Sequence, residues 1–161
     1  MAQYNYSTKM SEQRARAVIR DAPISYKVAV LVARRIKGMP AEKAIRFLKD
    51  VQAKKQAVPY TKFSETVGHK PGIGPGRYPA KAAKLFQGLV ENAVANAEDK
   101  GLGKEVTVEF VVAQRASLPY HYGRLGRRKF KRSHVELIVT AAEQHKKAEH
   151  SKKKYKESHG N

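Results

Sequence analysis

The stretch from Phe110 to Val139 limits the fold more than any other part of the chain. Two alternating apolar segments bracket a basic, aromatic and glycine-containing middle. On the way in, Val106, Val108, Phe110 and Val112 share one parity; on the way out, Val135, Leu137 and Val139 share another. Same-parity residues lie on one face of a strand. An antiparallel hairpin would oppose Val108 to Val139, Phe110 to Leu137 and Val112 to Val135, with its axis near Gly123 and Arg124. Only the base of such a hairpin is apolar enough to join a core. The outer part carries Arg115, Arg124, Arg127, Arg128, Lys129, Lys131 and Arg132, with no acid between Glu109 and Glu136. An isolated two-stranded hairpin is marginal in water, so a finger of this charge is expected to be stabilised by an anion outside the chain.

The rest of the chain supports that expectation. Lys and Arg number 33 against 14 acidic residues, for a formal charge of +19 over 161 residues. With 41% hydrophobic residues, the chain can bury a core and is not merely a disordered basic tail. A protein this charged repels itself when free, so its working state is expected to be bound to a polyanion, nucleic acid before a membrane surface. It has no cysteine, which excludes disulfides and thiolate metal sites. The longest apolar run, Val28 to Ala33, is far short of the roughly 20 residues that cross a bilayer. The expectation is a cytoplasmic protein without membrane insertion.

In chain order, residues 1–13 read as a polar arm, 14–142 as one domain containing the hairpin 105–140, and 143–161 as a basic tail with no apolar stripe to bury. Arg14, Arg16 and Val18 alternate with Ala15, Ala17 and Ile19, which predicts a strand with one basic face, ended by Pro23. Ser25 is an expected N-cap. Val28, Leu31, Val32 and Ile36 fall at helical spacing, with Arg34, Arg35 and Lys37 in the last turn and Gly38 as the stop. Pro40 opens a second helix with the stripe Ala41, Ala44, Ile45, Leu48 and Val51. Residues 53–78 lose periodicity and read as a long loop. In that loop Lys54, Lys55, Lys62, His69, Lys70 and Arg77 lie among Tyr60, Phe63 and Tyr78, a mixture that suits the phosphates and unstacked bases of RNA. Deleting residues 60–76 is expected to leave the fold intact. A third helix, about Pro79 to Lys100, carries the widest stripe (Ala82, Leu85, Phe86, Leu89, Val90, Ala93, Val94, Ala97) and is the expected centre of packing.

Other chemistries fit poorly. Gly72-Ile73-Gly74-Pro75-Gly76 lacks the preceding strand, immediate helix and Lys-Ser or Lys-Thr of a nucleotide loop, and Pro75 removes an amide donor. The six histidines, His69, His121, His134, His145, His150 and His159, show no metal-ligand spacing. The acids are scattered on polar helix faces, so the reading is neither metal, cofactor nor enzyme. A general nucleic-acid-compacting protein remains the alternative from another class.

Several segments resemble one family. Ser25-Tyr26-Lys27, Leu31-Val32-Ala33, Ile36-Lys37-Gly38 and Ala41-Glu42-Lys43-Ala44 resemble the first two helices of the large-subunit ribosomal protein L twenty-two family (L seventeen in eukaryotes). Leu89 through Glu98 is similar to its third helix, and Gly123-Arg124 with Ser133-His134-Val135 to its hairpin and returning strand. The similarity runs in order over about residues 14–140. The insertion from Val58 to Lys81, with Val67-Gly68-His69-Lys70 and Gly76-Arg77-Tyr78-Pro79, looks like the archaeal form. Val112 to Pro119 is shorter and less basic than the family's usual tip region.

The resemblance implies an α+β fold, three helices packed on a small antiparallel sheet with a long projecting hairpin and basic extensions. It implies binding to several segments of large-subunit ribosomal RNA, a role in assembly, neighbouring ribosomal proteins as partners, no homo-oligomer, and a hairpin reaching the nascent-peptide exit tunnel. Candidate RNA-binding residues are Arg14, Arg16, Arg20, Lys27, Arg34, Arg35, Lys37, Lys70, Arg77, Lys81, Arg115, Arg124, Arg127, Arg128, Lys129, Lys131 and Arg132. The candidate tunnel-wall tip is Ser117, Leu118, Pro119, Tyr120, His121, Tyr122, Gly123 and Arg124.

Overall fold

The computed structural model describes residues 6–7, 13–103 and 105–141. The expected basic tail and most of the N-terminal arm lie outside these. The elements follow as β1 (Arg14–Ala22), α1 (Tyr26–Ile36), α2 (Ala41–Gln52), β2 (Val58–Pro59), β3 (His69–Lys70), β4 (Gly74–Arg77), α3 (Ala80–Asp99), β5 (Val106–Arg115) and β6 (Ser133–Ala141). The fold is α+β. β1, β6 and β5 form an antiparallel sheet with β6 in the middle, and the three helices cover one of its faces. α3 packs against α2, β1 and β6, as its wide stripe requires, while α1 packs against β5.

The small residues of β1 allow that packing. Ala15 and Ala17 are buried on its inner face, where short side chains let α3 come close. α3 also covers the free edge of β1: Asn96 Nδ2 donates to the Arg16 carbonyl at 2.9 Å and Lys100 Nζ to the Arg14 carbonyl at 3.0 Å. The opposite edge, β5, is closed by the α1–α2 turn. Gly38 N donates to Val108 O at 2.7 Å, and Val108 N donates to Met39 O at 2.9 Å. Gly38 sits at φ +79, the left-handed conformation that ends a helix without penalty only for glycine. Both edges are thereby withdrawn from pairing with another chain. At the start of α1 the expected Ser25 cap is not made; no side-chain hydrogen bond closes that terminus.

The expected hairpin register holds only at its base. Val108 opposes Val139 as the parity predicts, but Phe110 opposes Ile138, Val111 opposes Leu137 and Ala113 opposes Val135. A bulge at Glu109 inserts one residue into β5. Since side chains alternate with period two, one extra residue exchanges the faces. Val106 and Val108 reach the core before the bulge; after it Val111 does so, and Phe110 and Val112 do not.

The outer face of the central strand is also covered. On β6, Glu136, Ile138 and Thr140 are buried alongside Val135, Leu137 and Val139. The arm contributes to this cover: the Ser7 amide donates to Glu136 Oε2 at 3.0 Å, and the Ser7 hydroxyl donates to the same oxygen. The Arg16 guanidinium lies 3.9 Å from the centre of the Tyr6 ring. Part of the arm therefore packs on the domain it precedes.

The loop expected over 53–78 contains a sheet of its own, ordered β2-β4-β3. The glycine-rich run forms β4, paired on both sides. A Cβ on Gly76 would meet Ile73 Cδ1 at 2.9 Å and Val58 O at 3.4 Å, so a side chain there would push the exposed end of Ile73 aside. Val58 and Tyr60 join the main core.

Candidate nucleic-acid interface

The regular ladder of the hairpin ends at Arg115 and Ser133. Beyond it the two chains stay together through isolated bonds. Ala116 N donates to Arg132 O at 3.3 Å, Phe130 N to Pro119 O at 2.8 Å, and His121 N to Arg128 O at 2.8 Å. Tyr120 pairs with Lys129, which moves the centre of the turn by one residue from the expected axis. A single 3₁₀ turn, Gly123–Leu125, closes the tip. Two side-chain contacts support this irregular part: the His121 and Phe130 rings stack at 3.5 Å, and Lys129 Nζ lies 4.8 Å from the Tyr120 ring centre.

The root is held by three contacts, from the end of β1, the β1–α1 connection and the start of α1. Asp21 N donates to His134 Nδ1 at 3.1 Å, Ser133 Oγ donates to the Ile24 carbonyl at 3.4 Å, and the Arg115 guanidinium lies over Tyr26. A finger fixed at its base projects its cations in a defined direction. Six of the seven, Arg115, Arg124, Arg127, Arg128, Lys129 and Lys131, are exposed, and Arg132 is half-buried. Among the described residues none of the seven makes an ion pair. At the tip Tyr122 is 90% exposed, with Tyr120, Leu118 and Leu125 exposed around it.

The other candidate cations divide by what they touch. Arg14 is committed within the protein: its Nε and Nη2 donate to the two carboxylate oxygens of Glu109 at 2.8 and 2.5 Å. Arg16 is engaged by Tyr6. Arg34 donates to Thr61 Oγ1 at 3.4 Å and Arg77 to the Thr66 carbonyl at 3.0 Å, so both also tie down the insertion. Arg20, Lys27, Arg35, Lys37 and Lys81 are exposed, and Lys70 is half-buried. Lys37 Nζ lies 5.5 Å from the Phe110 ring centre and Lys70 Nζ the same distance from that of Tyr78.

The first turn of α1 joins two of these groups. Tyr26 faces Arg115 at the hairpin root, and Lys27 lies 5.0 Å from the ring centre of Phe63 in the insertion. Phe63 is legible in the sequence only as one of three aromatics in the basic loop, and Tyr26 not at all, because their link to Lys27 and Arg115 is contact between distant segments. Burial pushes the Tyr60 phenol above 10.0, opposed in part by the charge of Arg77. Among the described residues no cluster of histidine and acidic side chains could hold a metal ion, and no helix is long and apolar enough to cross a membrane.

Fold and surface together define a class: a small α+β body whose central sheet is drawn out into an acid-free cationic finger, built to sit against a polyanion. The chain belongs to the family Ribosomal protein L22p/L17e, which matches residues 17–140. It is 41% identical over 145 residues to the large ribosomal subunit protein uL22 of Thermoplasma volcanium, covering 86% of this chain and 98% of that one. The uL22 of Thermoplasma acidophilum is 39% identical over 141 residues, with 84% and 93% covered. That of Hyperthermus butylicus is 35% identical over 156 residues, with 89% and 100% covered. These relatives are archaeal, in keeping with the insertion. The family is one of ribosomal proteins, not of enzymes.

Proposed function

We propose that this chain is a structural constituent of the large ribosomal subunit in the cytoplasm, where it binds several segments of large-subunit RNA and supports their assembly. Its role is binding and shaping, without catalysis. The observation that carries this reading is the finger: seven cations and no acid on a slender element whose root is fixed and whose cations have no carboxylate partner among the described residues. Residues 14–142 act as one body, with the arm and the basic tail as extensions. The finger cross-links RNA segments through their phosphates. Its tip, Ser117 to Arg124, contributes to the wall of the exit tunnel and faces the nascent peptide. Neighbouring subunit proteins complete its surroundings.

Neutralising Arg127, Arg128, Lys129, Lys131 and Arg132 should weaken RNA association and flatten its salt dependence. Each lost phosphate contact lowers the log–log slope by about 0.7 to 0.9. An unchanged slope would show that these side chains do not meet phosphate. Co-sedimentation with large subunits in high salt is the expected behaviour of the intact chain. Release at moderate salt, with equal affinity for duplex DNA, would instead identify a general compacting protein.

A further inference from the structure

Phe63 occupies a position that folding does not explain. Its φ is +60, a conformation that crowds the Cβ of a bulky residue. Two other non-glycine residues share a positive φ among those described, Asp21 and Lys54. Asp21 is a short polar residue of the type that tolerates this region, and Lys54 closes the end of α2, where a left-handed residue is common. Phe63 has neither reason, and the residue is 44% exposed rather than spent on the core. Strained residues of this kind concentrate where a ligand is gripped.

The segment around it is tied down. Arg34 holds Thr61, Arg77 holds the Thr66 carbonyl, and Val67 N donates to Ser64 O at 2.9 Å. The ring is thus presented from a braced loop, with Lys27 Nζ 5.0 Å from its centre. Residues 54–81 carry six Lys and Arg against the single acid Glu65. An exposed aromatic among cations suits a nucleobase, which stacks on the ring while adjacent phosphates meet the charges. Tyr26, next to Lys27, contacts Arg115 at the hairpin root, so the root and this ring meet at the first turn of α1.

We propose that Phe63 is a stacking platform for an unpaired nucleobase of the large-subunit RNA, with Lys27 beside it. The proposal rests on the ribosomal reading above. The test compares large subunits containing the unaltered chain, Phe63→Leu or Phe63→Tyr, with dimethyl sulfate and a carbodiimide as base probes. At equal incorporation, Phe63→Leu should raise the reactivity of one or two unpaired bases several-fold, and Phe63→Tyr should restore protection. An unchanged base pattern overturns the proposal while leaving the ribosomal reading intact. Failure of the unaltered chain to co-sediment would instead remove that reading.

If Phe63→Leu does not enter the subunit, the full free chain is titrated with a single-stranded RNA carrying one 2-aminopurine. Quenching by the unaltered chain and Phe63→Tyr, lost in Phe63→Leu, supports stacking; equal quenching by all three overturns it. Phe63→Gly gives an independent check on the fold. Its melting temperature should equal or exceed that of the unaltered chain, and a clear fall would mark the ring as packing instead.

Discussion

At Glu109 one extra residue enters β5, and its carboxylate accepts two hydrogen bonds from Arg14 across the central strand. Charge and position in the sequence mark Arg14 as a cation available to RNA; the pairing makes it part of the sheet. Leu137, fully buried at the middle of that sheet, has no such second role. Leu137→Ala should lower unfolding free energy by about 2–5 kcal/mol, measured by urea denaturation. Tyr60 allows a sharper test. The folded state holds its phenolic proton more tightly than the unfolded state does, because burial disfavours the anion. Stability linked to that proton is therefore complete below pH 10.0 and is lost as pH rises through the higher folded value. In alkaline melts Tyr60→Phe should lose less stability above pH 10 than the unaltered chain, and parallel curves would show that the phenol is not linked to folding.

Among the elements, the helices were the most legible. Their stripes place Leu31, Val32, Ile36, Leu48, Val51, Phe86, Leu89 and Val90 in the core, where all are buried, because helical spacing alone selects one face. The insertion was much less so. Its strands are two to four residues long, too short for alternation to register, and glycine and proline make up much of β4. Its edges also correct the expected deletion of residues 60–76, since Tyr60 lies in the core. Tyr60 N donates to Pro75 O at 2.8 Å, so those two residues can be joined by a short turn. Replacing residues 61–74 with Asn-Gly should preserve the circular-dichroism spectrum and a cooperative melt, while reducing incorporation into large subunits. Loss of the cooperative melt would show that the insertion is part of the folding unit.

Over the whole molecule, a charge of +19 opposes folding of the free chain. Raising salt from about 0.1 to about 1 M shortens the screening length from about 10 to about 3 Å. The melting temperature of the free chain should rise over that range, and a fall would mean that internal ion pairs outweigh the repulsion. By itself the sequence determined the helices, the parities of β1, of β6 and of the base of β5, the balance of charge and the acid-free finger, because periodicity and composition are read directly along the chain. The tertiary structure decided which cations are spent inside the protein, where the bulge exchanges the faces of β5, and that Lys27 meets Phe63 while Tyr26 meets Arg115. Those outcomes depend on contacts between segments tens of residues apart, and local periodicity carries no record of them.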